Sequence, residues 1–208
     1  MTASQEQHSM GLRERKKART RDTIQRHALR LFTEQGYTET TVEQIADAAE
    51  VSPSTYFRYF PTKEDPALYD RLDPLLIASF LAQPAESTPL QALRAAIREV
   101  TEQLPVEESE LESMRHQLIF SVPELRGRLL ERMVDTMSVF GDAVAQRTGR
   151  ERDDRRVLVF TGCVLGALLA AVYGERNIDV EDLPPMMSDA MLDRIDGALG
   201  LLEDGLPL

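Results

Sequence analysis

The chain has 208 residues, 42% of them hydrophobic, enough to bury one sizeable core or a small domain joined to a larger one. Acidic residues outnumber basic ones by 35 to 24, and the net charge of -11 excludes a protein that coats nucleic acid over its whole surface. Residues 1–64 hold ten Lys/Arg and nine Asp/Glu and the remainder fourteen and twenty-six, so the two parts carry +1 and -12.

Residues 1–12 read as a disordered lead into a dense basic arm of Arg13, Arg15, Lys16, Lys17, Arg19 and Arg21. Ile24, Ala28, Leu31 and Phe32 then recur at helical spacing up to Gly36, a C-terminal breaker, which predicts a first helix over Arg19 to Gln35. Thr41 with Gln44 forms a capping box, in which hydroxyl and amide satisfy two unpaired N–H groups. It opens a second helix that turns Val42, Ile45, Ala46 and Ala49 inward. Ser52 as N-cap and Pro53 at the first helical position open a short third helix through Phe60. Two short helices joined by a tight turn are the pattern of a helix-turn-helix. Pro61 stops the third helix, and Thr62 with Asp65 reads as a second capping box.

Further helices are expected over Lys63 to about Ala82, Pro89–Leu104, Glu107–Phe120, Pro123–Arg147, Arg152–Gly174 and Ser188–Leu202. In the first of these, Pro74 removes a hydrogen bond and pushes Asp73 from helical angles, so a kink or break is predicted near Asp73. The run Val157 to Tyr173 is apolar all round, shorter than a membrane span and interrupted by Gly162 and Gly166. Its small residues Gly162, Gly166 and Ala170 share one face, with Cys163, Ala167 and Ala171 beside it. Such residues admit the close approach of another helix. The last helix carries one apolar stripe, Met191, Ile195, Ala198, Leu199 and Leu202. No strand alternation appears. With one cysteine and no apolar N-terminal segment, a soluble cytoplasmic protein is expected.

A helix that reads DNA keeps one polar face for the major groove and locks the opposite face onto its own domain. In Ser54-Thr55-Tyr56-Phe57-Arg58-Tyr59-Phe60 the spacing suggests Phe57 and Phe60 inward with Val51, leaving Ser54, Thr55, Tyr56, Arg58 and Tyr59 for bases and phosphates. Pro53 and Ser54, after the N-cap Ser52 that is also a candidate DNA contact, lie at the helix N-terminus, the end that approaches the bases and where N–H groups favour phosphate oxygens. Taken singly, Tyr56 and Tyr59 would serve equally well as packing for a small domain, and the basic arm as a solvated face.

The combination Ala28-Leu29-Arg30-Leu31-Phe32, Gly36-Tyr37, Thr40-Thr41-Val42, Ile45-Ala46, Val51-Ser52, Tyr56-Phe57, Tyr59-Phe60 and Lys63-Glu64 resembles the N-terminal domain of TetR-family regulators. The resemblance implies an all-α protein: an N-terminal three-helix helix-turn-helix domain, drawn at 1–62, and a C-terminal helical effector-binding and dimerisation domain, 63–208. It implies that Thr41, Tyr59 and Lys63 meet the phosphate backbone, that Ser54, Thr55 and Tyr56 lie at the groove, and that Arg13 to Arg21 form an arm near the DNA. Arg58 reaching a guanine edge follows from side-chain geometry. Pro66 departs from the family, which has an aliphatic anchor there. The resemblance also implies a homodimer through the last two helices, matching two half-sites of a pseudo-palindromic operator.

An effector cavity is expected among the middle helices, with Met114, Leu118, Phe120, Leu129, Met133, Met137, Phe140, Phe160 and Leu168 as apolar candidates. Arg115, His116, Gln117 and Tyr173 are the polar candidates to orient a ligand. The C-terminal part resembles the ligand domain of actinobacterial relatives that respond to acyl or hydrophobic effectors. No cofactor or metal site is expected: His8, His27 and His116 are scattered, and Glu112 with His116 reads as surface charge pairing. The function expected is a repressor released from DNA by a small hydrophobic effector. The alternatives are a ligand-independent helical interaction protein, an activator of the same type and a small helical enzyme.

Overall fold

The computed structural model describes residues 3–173 and 184–206, and among them it is all-helical. The helices are α1 (Ala3–Gln35), α2 (Val42–Ala48), α3 (Pro53–Tyr59), α4 (Asp65–Leu68), α5 (Asp73–Ala82), α6 (Pro89–Gln103), α7 (Val106–Ser121), α8 (Pro123–Thr148), α9 (Arg155–Tyr173) and α10 (Asp189–Glu203). They fall into two compact units divided after Tyr69.

The seam lies later than the 62/63 boundary expected from sequence, because α4 belongs to the first unit. Asp65, Pro66, Ala67 and Leu68 are all buried. The Gln25 amide of α1 donates to the Pro66 carbonyl at 3.0 Å and the Tyr69 carbonyl at 2.8 Å, so α1 holds both ends of this turn. Pro66, which replaces an aliphatic anchor, is itself buried there.

In the first unit Ile24, Ala28, Leu29 and Phe32 of α1 meet Ile45, Ala46 and Ala49 of the α2 region and Tyr56 and Phe60 of the α3 region in one core. Helix α1 starts at Ala3 rather than Arg19, so the stretch expected to be disordered is helical from there. No proline interrupts it, and Arg, Lys, Ala and Glu between Leu12 and Arg19 are good helix formers. The Thr41/Gln44 capping box and the Ser52 N-cap with Pro53 form as expected. The second box is half made: Thr62 N–H donates to Asp65 Oδ2 at 2.8 Å, but α4 carries no side-chain cap.

The break near Asp73 is present. Tyr69–Leu72 separates α4 from α5, and Pro74 lies in the first turn of α5, where its absent N–H costs nothing. Asp70 Oδ1 accepts from the backbone N–H groups of Leu72 (2.8 Å) and Asp73 (3.3 Å), fixing the turn.

The second unit is built on Phe80 of α5, Leu90, Leu93 and Ala96 of α6, Val144 of α8, Val157 and Val164 of α9 and Leu199 of α10. Arg147 near the end of α8 donates to the carbonyls of Phe80 (3.1 Å) and Gln83 (3.0 Å), tying α8 to the close of α5. Helix α9 corrects one expectation. Starting at Arg155, its Arg155–Val172 window is long and apolar enough, by length and composition alone, to cross a membrane, and only 22% of it is buried within the chain. Part of its apolar surface therefore lacks cover inside one protomer.

Candidate nucleic-acid interface

Helix α3 is held by a rigid start. Ser52 Oγ accepts from Thr55 N–H at 3.2 Å, and the Ser52 hydroxyl also bonds the hydroxyls of Ser54 (2.9 Å) and Thr55 (3.0 Å). Three short polar side chains are thereby gathered at the helix N-terminus, beside exposed Pro53, where backbone N–H groups favour anions.

The turn before α3 is tight. Glu50 N–H bonds the Asp47 carbonyl (3.0 Å) and Val51 N–H the Ala46 carbonyl (2.9 Å), a Schellman closure with Glu50 left-handed at φ 55°. A left-handed glutamate in the turn was not foreseen, because nothing in its residue type signals that backbone region.

The faces of α3 differ from the sequence expectation at two neighbouring positions. Tyr56 is fully buried and Phe57 is 48% exposed, so Tyr56 locks the helix and Phe57 is presented outward. Three constraints fix Tyr56 inward. Its hydroxyl donates to the Thr62 carbonyl at 3.1 Å, its ring packs at 6.1 Å from Phe60, and Phe57 meets it edge-on at 5.5 Å. Burial and the nearby carboxylates of Asp65 and Glu64 push the Tyr56 phenol further above its ordinary range, so it stays a neutral donor. Tyr56 is thus unavailable to the groove. Sequence reasoning chose by ring polarity, whereas a tyrosine is buried readily once its hydroxyl finds an acceptor.

The other expected contact residues keep outward positions. Thr41, Ser52, Pro53, Ser54 and Arg58 are exposed, and Thr55, Tyr59 and Lys63 are half-buried. Arg58 lies over the Tyr59 ring at 5.4 Å. Lys63 lies over the Tyr37 ring at 4.5 Å, and its ammonium donates to the Thr38 carbonyl at 3.3 Å, which orients it. Arg13, Arg15, Lys16, Lys17 and Arg19 are exposed on α1. Arg21 is instead drawn over the Tyr69 ring at 4.8 Å and leaves the exposed arm.

Two hollows lie among the described residues of the second unit. A hollow of about 260 Å³ lies between α6 and α10, lined by Arg94, Ile97, Arg98, Leu192 and Asp196 among others. A more open one of about 510 Å³ is bordered by Asp154, Arg155, Arg156, Val159 and Phe160. Neither takes in Met114, Leu118, Met133, Met137 or Phe140. Leu118 and Phe120 are buried, and Phe140, Phe160 and Leu168 pack against the core, with Phe140 5.6 Å from Phe80. Met114, Leu129, Met133 and Met137 are half-buried.

Arg115, expected to orient a ligand, is instead buried between two carboxylates: its Nη2 lies 2.6 Å from Asp70 Oδ2 and its Nε 2.7 Å from Glu112 Oε2. His116 Nδ1 bonds the Glu112 carbonyl at 2.8 Å, and Gln117 is exposed. The Tyr173 side chain and Gly174 lie outside the described residues. Glu112 is fully buried and ion-paired, which corrects its reading as a surface charge. Among the described residues no group of three or more His, Cys, Asp or Glu side chains could hold a metal.

Comparison with known proteins places these features. Residues 24–65 match the family described as bacterial regulatory proteins, tetR family, and residues 87–207 match the MftR C-terminal domain. The HTH-type transcriptional regulator TcmR of Streptomyces glaucescens is 40% identical over 153 residues, 69% of this chain and 67% of that protein. Two solved structures share the fold. Thermus thermophilus FadR, described as a TetR family repressor in complex with lauroyl-CoA, matches with a TM-score of 0.51 at 23% identity over 90% of this chain and 95% of its own. FadR of Bacillus halodurans, a fatty acid degradation regulator, matches at 0.54 and 19% over 90% and 96%.

Proposed function

Because the chain belongs to the TetR family of bacterial regulatory proteins, and so is a DNA-binding transcriptional regulator rather than an enzyme, we propose that it is a dimeric repressor released from its operator by a hydrophobic effector. The observation that carries the reading is the two-sided α3: Tyr56 and Phe60 anchor it while Ser54, Phe57 and Arg58 stand outward from a capped N-terminus. Ser54, Thr55, Phe57 and Arg58 read base edges, with Phe57 offering an apolar contact to a thymine methyl and Arg58 a fork to guanine. Thr41, Ser52, Pro53, Tyr59, Lys63 and the basic stretch Arg13–Arg19 position the unit on phosphates.

The exposed apolar face of α9, together with α10, forms the dimer contact, which presents two recognition helices to the halves of a pseudo-palindrome. Such a regulator works in the cytoplasm, with the chromosome. The fold shared with a lauroyl-CoA complex makes a long-chain acyl thioester the first effector to try. In that reading Met114, Leu118, Met133, Met137, Phe140 and Phe160 are side chains that part to admit an acyl chain, Arg115 staying in its ion pairs.

The test is selection of operator duplexes from a random library by the purified protein, followed by titration with lauroyl-CoA. Expected are an inverted-repeat consensus, a steep fall of affinity with salt, and release on adding the thioester. Selection of no sequence overturns the regulator reading, and an operator complex indifferent to acyl thioesters overturns the effector class.

A further inference from the structure

Between α3 and α4 the chain turns over residues 60–64, and the basic side chain of this turn, Lys63, is held at both its root and its tip. At the root, the fully buried Tyr56 donates its hydroxyl at 3.1 Å to the Thr62 carbonyl, which belongs to the peptide that joins Thr62 to Lys63. The Thr62 N–H, on the peptide before, donates at 2.8 Å to Oδ2 of buried Asp65. Two successive peptide planes leading to Lys63 are therefore fixed by buried side chains. At the tip, the Lys63 ammonium lies 4.5 Å from the centre of the Tyr37 ring and donates to the Thr38 carbonyl at 3.3 Å.

Packing alone does not call for a hydroxyl at position 56, since a phenylalanine would fill nearly the same volume. The Thr62 carbonyl does not call for it either, because Thr62 is exposed and water can serve it. What the bond adds is a fixed path for the turn. A long lysine stem left free loses much of its rotamer entropy when an anion captures its ammonium. A stem already placed has less to lose, so the same contact forms more tightly.

We infer that the Tyr56 hydroxyl and the Asp65 carboxylate are positioning groups that present the Lys63 ammonium to a duplex phosphate. The inference rests on the phosphate contact proposed for Lys63, and it deepens that reading by naming what holds the contact in place. Tyr56, expected from sequence at the groove, serves DNA binding from the buried side of α3 and touches no nucleotide.

Tyr56→Phe removes one oxygen and keeps the ring. In the protein without DNA, the Thr62 amide of this variant is expected to exchange about threefold to tenfold faster, the range that loss of one hydrogen bond allows. Unchanged exchange there overturns the tether with no duplex present. On a selected operator and on an unrelated duplex of equal length, Kd is expected to rise by a common factor of about threefold to tenfold. The slope of log affinity against log salt should fall by up to about one, and the preferred bases should stay as they are. Lys63→Gln alone should give the larger loss, and Tyr56→Phe added to it should give none. A merely structural hydroxyl would lower Tm and leave Kd and the salt slope unmoved at temperatures where both proteins are folded. That result, an additive loss in the double variant or a change in preferred bases overturns the inference. Asp65→Asn keeps an acceptor for the Thr62 amide and removes its charge, so it supplies the same comparison if Tyr56→Phe does not fold. Binding of no duplex by the unaltered chain overturns the regulator reading and this inference together, whereas operator binding with equal slopes in the unaltered chain and Tyr56→Phe overturns the positioning role alone.

Discussion

Glu50 holds a left-handed backbone at φ 55° with no glycine to make it cheap. The left-handed region costs an L-residue roughly 1–2 kcal/mol, of which the greater chain entropy of glycine returns about half to one when it is substituted. Glu50→Gly is therefore expected to raise Tm by about 2–4 °C or less, since about 1 kcal/mol moves a domain of this size by that amount. A thermal melt checks it, and a fall in Tm would mean that the Glu50 side chain contributes more than its backbone costs. Two residues within α3 invite a paired test. Tyr56→Ala removes a fully buried ring and its bond to Thr62 and should cost roughly 3–5 kcal/mol, whereas Phe57→Ala should cost under about 1 kcal/mol because half the ring faces solvent. In operator selection Phe57→Ala should change the preferred bases and leave the salt slope alone, and denaturant curves with binding assays separate the two effects. The sequence could not assign these neighbours, since apolar spacing alone favours Phe57 with Phe60. The deciding fact is the Thr62 carbonyl in the turn after α3, which accepts the Tyr56 hydroxyl.

Helix boundaries were far more legible, because caps and breakers act locally. Thr41/Gln44, Ser52-Pro53, Thr88-Pro89 and Ser188 each start a helix where their chemistry demands, and Pro74 forced the α4–α5 break. The ion pairs of α7 were not legible, because its partners Asp70 and Arg71 are more than thirty residues away and charge spacing along one helix cannot reveal them. Its cluster makes a pH prediction. Burial and the Arg115 guanidinium hold His116 down to about 4, so the folded chain refuses a proton that an unfolded histidine accepts from about pH 6.5 downward. Stability from this group is complete above 6.5 and is lost as pH falls towards 4. Asp73 runs the other way. Burial and the neighbouring Asp70 carboxylate raise it to about 6, so between 3.8 and 6 the folded chain keeps a proton that the unfolded one has released, and stability falls as pH rises through that window. Because Asp73 reaches solvent, its effect is the smaller of the two. Melts at pH 5 and 7 should show a Tm lower at pH 5, a steeper drop in Asp73→Asn, and a flat or reversed trend in His116→Gln. A His116→Gln profile matching the unaltered chain would remove His116 as the source.

At the scale of the molecule, charge and apolar surface are divided between the two ends of the chain. The acidity follows residue 64, so repulsion from DNA discourages contact by the second unit, in keeping with the proposed contact through α3 and the arm. The apolar excess lies on α9, where Val159, Cys163, Gly166 and Ala170 recur at helical spacing and all are exposed, and Leu201 of α10 is 53% exposed. An exposed stripe of that length calls for cover, which in the proposed dimer a second copy would supply with the same stripe. Gly166 offers a clean probe, because a Cβ built there meets nothing within 4 Å inside the protomer. Gly166→Ile should therefore leave the protomer fold intact, and even favour the helix by a few tenths of a kcal/mol relative to glycine. Across a close helix contact the same side chain would collide with the mate. The expected outcome by sedimentation is a shift from dimer to monomer at micromolar concentration, with helical content by circular dichroism unchanged. Affinity for a full inverted repeat should then fall towards that for a single half-site, while half-site binding is unaltered. A variant that stays dimeric with full operator affinity would place the two-fold contact elsewhere, and the uncovered face of α9 would need another partner.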